Sequence, residues 1–489
     1  MKDRIIIEGI TFDDVLLLPA RSNVSPGELD TSTFLSRNVA LNIPLVSAPM
    51  DTVTEAALAI ALAQEGGIGI IHRNLSVKAQ ALEVEKVKRS ENGIITDPVT
   101  LPPGESTARA RQLMADHNVS GVPIVVDGGK LVGILTRRDM KFLSADRPIE
   151  EVLTKDSLVT APPETSLDQA ESILNRHKVE KLLLVHPDGR LAGLITMRDI
   201  DKMRQFPLSC KDARGRLRVG GAVGVLDFAR VKALIAKDVD VIVIDTSHGH
   251  KDVVLETIRQ IKAAHKIDVV AGNIATAQAA RDLIEAGADG LRVGIGPGAI
   301  CTTRVVTGVG VPQLSAISQA VSAAGPEGVP VIADGGIRHS GDIVKAIAAG
   351  ASSVMMGSLF AGLDESPGEL VIYKGRRFKV YRGMGSMDAM LAGAADRYGQ
   401  TAQAPRSRLV PEGVEGRVPY RGPIGDFVFQ LLGGLRSGMD HCGTHTIEQL
   451  RTRAQFIRVS AATLTESHPH DIVITHEAPN YSLSRSVEE

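Results

Sequence analysis

Residues 291–306 read LRVGIGPGAICTTRVV. A short apolar run, Leu291, Val293 and Ile295, leads into Gly294, Gly296 and Gly298, with Pro297 between the last two. Cys301, Thr302, Thr303 and Arg304 follow. Glycines at alternate positions permit backbone dihedrals and close approaches that a side chain would block. A strand ending in such a loop directs main-chain N–H and C=O groups at something small and delivers one thiol to the same place. The same residues also suit a tight turn with an incidental buried cysteine, since free Cys often serves as a small core residue. What surrounds the stretch decides between the two.

An apolar run closing on Gly, Ser or Asp recurs along the chain. Strand candidates lie at residues 43–50 (IPLVSAPM), 67–71 (GIGII), 219–225 (VGGAVGV) and 239–245 (VDVIVID). Four more lie at 268–274 (DVVAGNI), 290–295 (GLRVGI), 329–334 (VPVIAD) and 353–358 (SVMMGS). Amphipathic helix-like stretches such as TEAALAIALAQ, ARVKALIAK, AQAARDLIEAG and GDIVKAIAAG separate them. Eight βα units predict an α/β fold, the (β/α)8 TIM barrel. A doubly wound open sheet lacks its own signal: no G-x-G-x-x-G follows the first strand with an acidic residue about 20 positions on.

Composition narrows the function class. A chain of 489 residues is too long for one core. Its net charge of −2 gives no basic field to draw nucleic acid or an anionic membrane. Aromatics at 3%, with no Trp, argue against base-stacking platforms. Cys210, Cys301 and Cys442 form no C-x-x-C pair, which fits a reducing compartment and excludes a disulfide framework or zinc knuckle. The N-terminal MKDRIIIEGITFDD has too short an apolar run for a signal peptide or membrane span. The expectation is a cytoplasmic protein with no membrane partner and no requirement for nucleic acid.

The interval between the second and third strands is too long for a loop, and it repeats internally. Val99-Thr100-Leu101-Pro102-Pro103 matches Val159-Thr160-Ala161-Pro162-Pro163, and His117-Asn118-Val119 matches His177-Lys178-Val179. LVGILTRRD ending at Asp139 matches LAGLITMRD ending at Asp199. The offset is constant, since 159 − 99, 177 − 117 and 199 − 139 all equal 60. Two copies, residues 91–204, are therefore read as a domain inserted into a barrel formed by 1–90 and 205–489, at a loop where insertion is best tolerated. The repeat resembles a tandem CBS-domain (Bateman) pair. That resemblance implies a β-α-β-β-α unit per copy and a purine nucleotide (ATP, GTP or GDP) bound between copies. Thr136 with Asp139, and Thr196 with Asp199, offer a hydroxyl and a carboxylate for a ribose diol. The same spacing suits helix N-capping, and one residue can do both.

Residues 373–425 break the barrel rhythm, being rich in Gly, Pro and Arg with little periodicity. A long irregular segment in a compact enzyme is usually an active-site lid or disorder. In the tail, His468, His470 and His476 have no third ligand at a convincing spacing, so a polar interface segment is the better reading.

Two barrel loops read as a phosphate site: Asp334-Gly335-Gly336 ends the seventh strand and Gly357-Ser358 the eighth, the positions where barrels often bind phosphate through backbone N–H groups. Asp334 would repel a phosphate and suits a ribose diol instead. Asp245 ends the fourth strand, where it could contact a hydroxylated ligand or cap the next helix. A thiol, a phosphate cradle and two carboxylates for sugar hydroxyls describe a nucleotide attacked by a cysteine.

Taken in order, the barrel, the inserted repeat, GIGPGAICTTR, ADGGI, MMGS, YRGMGS, DRY and the ESH tail resemble the bacterial inosine-5′-monophosphate (IMP) dehydrogenases over nearly the whole chain. The resemblance implies that Cys301 attacks C2 of IMP, that hydride passes to NAD, and that a covalent thioimidate is hydrolysed to XMP. It implies IMP contacts from Asp334, Gly335, Gly336, Gly357, Ser358, Tyr381, Arg382, Gly383, Met384, Gly385 and Glu412. NAD would meet Asp245 and the Gly294, Ile295 and Gly296 backbone. Arg397 and Tyr398 would arrive on a mobile flap to activate water, with Thr303 in the proton relay. Potassium (K+) would bind carbonyls of Gly296, Gly298 and Cys301, plus Glu466, Ser467 and His468 of a neighbouring subunit, in a homotetramer, with an octamer of stacked tetramers as the alternative assembly.

Thiolate is the reactive form of Cys301, and backbone dipoles of a glycine loop favour it. Arginine holds its proton strongly, so Arg397 could act as a base only where its charge is disfavoured. Two departures stand out: Ala299 replaces the family's usual Ser, removing a hydroxyl expected at the IMP phosphate, and Ala392-Gly393-Ala394-Ala395 replaces the common KGSS before DRY. GMP reductases share the barrel and the GPG-x-x-C loop, but generally lack the inserted pair and the Arg-Tyr flap. A nucleotide-sensing regulator with an inactive barrel is the third alternative; intact Cys301, Thr303, Arg397 and Tyr398 argue against it.

Overall fold

The computed structural model describes residues 5–23, 26–90, 95, 98–117, 119–143, 145–156, 158–400 and 405–481. Its centre is a closed barrel of eight parallel strands. In chain order these are Leu45–Ser47, Ile68–Ile71, Val219–Val223 and Val241–Asp245, then Asp268–Ile274, Gly290–Val293, Val331–Asp334 and Ser353–Met356. Each lies within one of the eight strands expected from sequence. The eighth closes on the first through Met355 opposite Val46, and the first meets the second through Val46 opposite Ile68.

These strands are buried on both faces, which is why they read as continuous apolar runs. Along the fourth, Val241 and Val243 join the inner cluster with Val46, Ile68, Ile70, Ala222, Val270, Ile332 and Met355. Ile242 and Ile244 pack outward beneath the helices. Burying each such aliphatic side chain contributes about 1.5–3 kcal/mol. Two of the surrounding helices start where short polar side chains accept the first free N–H groups: Asp227 from Arg230 N, and Thr276 from Ala279 N.

A hairpin that the sequence reading missed, Thr33–Ser36 with Val39–Leu41, puts Leu35, Val39 and Leu41 into the inner cluster. Cys210 joins the same cluster, and burial pushes its thiol up to about 12. That cysteine is a packing residue.

The expectation of an irregular segment over 373–425 needs correction. Arg376–Arg382 pairs with Leu370–Tyr373 on one side and Glu415–Pro419 on the other, forming a three-stranded antiparallel sheet. Its alternation is hidden by cations that cover aromatic faces. The Arg417 guanidinium sits 3.5 Å from the Tyr373 ring centre, and that of Arg377 4.2 Å from Tyr420. Between the second and third of these strands the described chain runs in short helical turns, including Ala395–Tyr398.

The chain divides into two compact units, the barrel and a second unit of Glu91–Pro207 with Lys211–Arg216. Glu91, where the insertion was expected to begin, and Asn118 of the repeat match lie outside the described residues. The second unit contains two similar halves. One has helix Thr107–Asp116 and hairpin Gly121–Val126 with Lys130–Thr136; the other has helix Leu167–His177 and hairpin Lys181–Val185 with Leu191–Thr196. Each half has its own core, and equivalent serines cap the two helices: Ser106 accepts from Arg109 N, Ser166 from Gln169 N. Among the described residues, only the second half continues from its hairpin into a helix, Met197–Gln205.

Candidate active site

The site lies at the C-terminal ends of the barrel strands. After the sixth strand, Gly294 takes φ +148, and a Cβ there would stand 2.1 Å from the Asp334 carbonyl oxygen. Only glycine fits that position. Arg304 stitches the loop down, with Nε donating to Ile295 O at 3.1 Å and Nη2 to Val311 O at 2.6 Å. On the other side, Thr302 N donates to Glu412 O and Val414 N to Ile300 O, both at 3.0 Å. The half-buried Cys301 is thus held between two braced segments.

The thiol Sγ donates to Thr303 Oγ1 at 3.1 Å, and Thr303 Oγ1 donates to Glu412 Oε2 at 2.9 Å. A proton path from sulfur through a hydroxyl to a carboxylate is therefore already assembled. Glu412, expected as a substrate contact, lines the cleft and accepts from Thr303.

The cleft around Cys301 is lined by Ala299, Thr303, Asp334, Gly335, Gly336, Gly357, Ser358, Tyr381, Gly383, Met384, Gly385, Arg397, Tyr398 and Glu412, with Gly294, Ile295, Gly296 and Gly298. Gly335 and Gly336 adopt φ of +91 and +81. Gly357 must lack a side chain, because a Cβ would stand 2.7 Å from the Tyr381 hydroxyl. Burial raises the Tyr381 phenol above its ordinary range.

Five residues expected at this site do not line the cleft: Asp245, Arg382, and Glu466, Ser467 and His468, the last three expected from a neighbouring subunit. Arg382 turns to Asp51, with Nη2 2.6 Å from Oδ2. Glu466 ends the helix Ala462–Glu466, Ser467 follows it, and His468 bonds Tyr481 OH at 2.9 Å beside His339. Among the described residues no group of three or more His, Cys, Asp or Glu could hold a metal ion. In the second unit, each Thr–Asp pair is turned inward. Thr136 Oγ1 donates to Asp139 Oδ2 at 2.7 Å, Thr196 Oγ1 to Asp199 Oδ2 at 2.5 Å, and each aspartate N–H donates back to its threonine. That is the capping arrangement.

Beneath the cleft lies an ionic network that sequence reading missed. Arg292, on the sixth strand and 4% exposed, donates from Nη1 to Asp245 Oδ1 at 2.5 Å and from Nε to Asp334 Oδ2 at 2.7 Å. Asn273 Nδ2 donates to Asp334 Oδ2 at 2.7 Å and to Gly294 O at 2.8 Å. Arg397 Nη2 reaches Asp245 Oδ1 at 2.9 Å and Nη1 donates to Tyr398 OH at 3.0 Å. The available signal was a cation inside a strand of buried residues, within the stretch LRVGIG itself.

Burial works against the Asp245 charge, and the guanidiniums of Arg397, Arg292 and Arg73 more than offset it, holding this carboxyl down at about 2. Burial likewise opposes the Arg397 charge, and Asp245 overcomes it, raising the guanidinium above its ordinary range. The condition for Arg397 to shed its proton is therefore not met in this arrangement. The Ala395–Tyr398 turn is docked, and Ser247 N and Oγ both donate to Arg397 O, at 3.2 and 3.0 Å.

Comparison with known proteins gives one family. The model described as IMP dehydrogenase / GMP reductase domain matches residues 9–470. A relative named inosine-5′-monophosphate dehydrogenase from Rhodopirellula baltica is 60% identical, covering 98% of this chain and 89% of its own. The protein of the same name from Bacillus subtilis is 56% identical, covering 98% of both. Among solved structures, a GMP reductase variant from Trypanosoma brucei in complex with guanosine 5′-monophosphate superposes with a TM-score of 0.86 at 41% identity. It covers 96% of this chain and 100% of its own. The inserted pair and the Arg397–Tyr398 flap were expected together to set this chain apart from reductases, which generally lack both; this neighbour, a reductase by name, aligns over 96% of the chain, so the insertion alone does not make the distinction.

Proposed function

This chain belongs to the IMP dehydrogenase / GMP reductase family, and from that premise we propose that it oxidises IMP to XMP with NAD, in guanine nucleotide synthesis. The observation that carries the reading is the Cys301–Thr303–Glu412 relay opening on a cleft that also holds Arg397 and Tyr398. The phosphate of IMP rests on the backbone of Gly335, Gly336, Gly357 and Ser358. Arg292 and Asn273 both bond Asp334 Oδ2, so Oδ1 is the oxygen offered to the ribose diol.

Cys301 adds through sulfur to C2 of the purine, and its proton passes by Thr303 to Glu412. The Gly294–Gly296 backbone and Asp245 would hold NAD, which would supply the hydride acceptor. After the hydride leaves C2, a thioimidate joins the purine to Cys301. Arg397 and Tyr398 then occupy the place beside Asp245 and orient water. Glu412 sheds the thiol's proton to solvent as the reduced dinucleotide leaves, so with Arg397 held charged one water proton passes through Thr303 to the freed carboxylate. The water oxygen adds to C2, the C2–S bond breaks, and Glu412 returns that proton through Thr303 to the departing sulfur, restoring the thiol, while the second water proton ends on N3 of XMP.

Carbonyl oxygens of Gly296, Gly298 and Cys301 would offer donors to a weakly hydrated monovalent cation such as K+, which would steady the loop bearing Cys301. Glu466, Ser467 and His468 would complete it from a neighbouring subunit of a homotetramer. The second unit is read as a CBS pair binding purine nucleotides, with Thr136, Asp139, Thr196 and Asp199 able to exchange their mutual bonds for a ribose. Cytoplasmic location is read from the three cysteines, which form no C-x-x-C pair; among the described residues no helix is long and apolar enough to cross a membrane.

The test is direct. IMP plus NAD in potassium buffer should yield NADH. Turnover of GMP with NADPH, without IMP activity, would select the reductase; neither would select a regulator.

A further inference from the structure

The loop after the second barrel strand carries Arg73, which no motif above includes. Its side chain is 10% exposed, and Nη1 donates to both carboxylate oxygens of Asp396, at 3.0 and 2.8 Å. Its Nε stands 3.9 Å from Asp245 Oδ2 and has no hydrogen-bond partner among the described residues. Asp396 immediately precedes Arg397, whose guanidinium binds Asp245. The Ala395–Tyr398 turn therefore docks through two crossed ion pairs: its carboxylate on a fixed arginine, its arginine on a fixed carboxylate. The barrel backbone closes over the junction. A Cβ on Gly224 would lie 3.3 Å from both Arg73 Nη1 and Asp396 Oδ2.

We infer that Arg73 is a positioning residue whose ion pair with Asp396 latches the turn, and so sets how the enzyme divides its time between dinucleotide binding and thioimidate hydrolysis. The inference rests on the proposed alternation of NAD and Arg397 at Asp245. Asp245 is 2% exposed and its Oδ1 already accepts from Arg292 and Arg397. It has no room to serve a ribose as well, so whatever holds Arg397 in place competes with the dinucleotide. The turn brings one acid and one base together, and it can leave and return without changing the net charge of the barrel mouth. Pairing geometry, rather than net attraction, then decides its position. An ordinary exposed ion pair contributes little. This one has a largely buried arginine meeting both carboxylate oxygens, which favours a measurable effect.

The experiment compares Asp396→Asn, Arg73→Gln, their double variant and Arg73→Lys in the full-length enzyme. The single losses should leave the first turnover of NADH unchanged and slow thioimidate breakdown about two- to fivefold. In a Cys301→Ala background saturated with IMP, Asp396→Asn should bind NAD more tightly, because a competitor has been loosened. A residue that merely supports the fold would weaken both. The double variant should be no slower than the slower single, and Arg73→Lys should retain most of the wild-type rate. Additive losses, weaker NAD binding, or wild-type behaviour throughout would overturn the latch. If Arg397→Ala accumulates no adduct, the underlying reading of the turn fails as well. If it does accumulate adduct while the Arg73 variants match wild type, only the latch fails.

Discussion

Thr303 donates its hydroxyl proton to Glu412 at 2.9 Å, joining two residues 109 positions apart. The same hydroxyl accepts from the Cys301 thiol. If that path carries the proton released from attacking water, Glu412→Gln should slow hydrolysis by roughly 10²–10⁴-fold, the scale of losing an acid–base group. Substrate affinity should change far less. Single-turnover kinetics would decide it, and an unchanged hydrolysis rate would return the role to Arg397.

Ala299 is exposed in the cleft among the residues proposed for phosphate binding. Ala299→Ser restores a hydroxyl and should tighten IMP binding by on the order of 1.5–3 kcal/mol at most, leaving hydride transfer little changed. Calorimetric titration of IMP checks this. Unaltered affinity would mean that backbone groups already satisfy the phosphate.

Acid should release the turn. The Asp245 carboxyl lies at about 2 in the folded protein, below its ordinary 3.8. A depressed folded value stabilises fully above the unfolded value and is lost as pH falls from about 4 through 2. Acid unfolding of the wild type should therefore steepen in that window, by on the order of 2 kcal/mol. Asp245→Asn should lack that component. Identical acid profiles would contradict it.

The eight strands were legible because strands buried on both faces are written as unbroken apolar runs. The repeat was legible because its offset never varies from 60 residues. The sheet around Arg376–Arg382 was not, since arginines stacked on Tyr373 and Tyr420 erase the polar–apolar alternation. Cys301 and the glycine loops announced themselves by residue type. Arg292 stood in the opening stretch but looked like a stray charge, because its partners Asp245 and Asp334 come from two other strands. The pairing of Thr303 with Glu412, and of Arg73 with Asp396, exists only once the chain has folded.

The second unit has its own two cores. Replacing residues 91–204 with a short linker should leave a folded, active barrel and abolish any response of activity or assembly to purine nucleotides. Circular dichroism with steady-state assays would check both. A folded but inactive barrel would place the insertion within the catalytic machinery.

The division of labour between Cys301 and Arg397 is tested most directly by following NADH in the first seconds after mixing Arg397→Ala with IMP and NAD, then weighing the intact stalled protein. A burst near one NADH per site should appear, followed by turnover slowed roughly 10²-fold or more. The stalled protein should carry a covalent purine nucleotide on Cys301, while Cys301→Ala gives neither burst nor adduct. Equal slowing of burst and steady state with no added mass would show that Arg397 acts in substrate binding or hydride transfer, and that the attacking water is oriented by other groups.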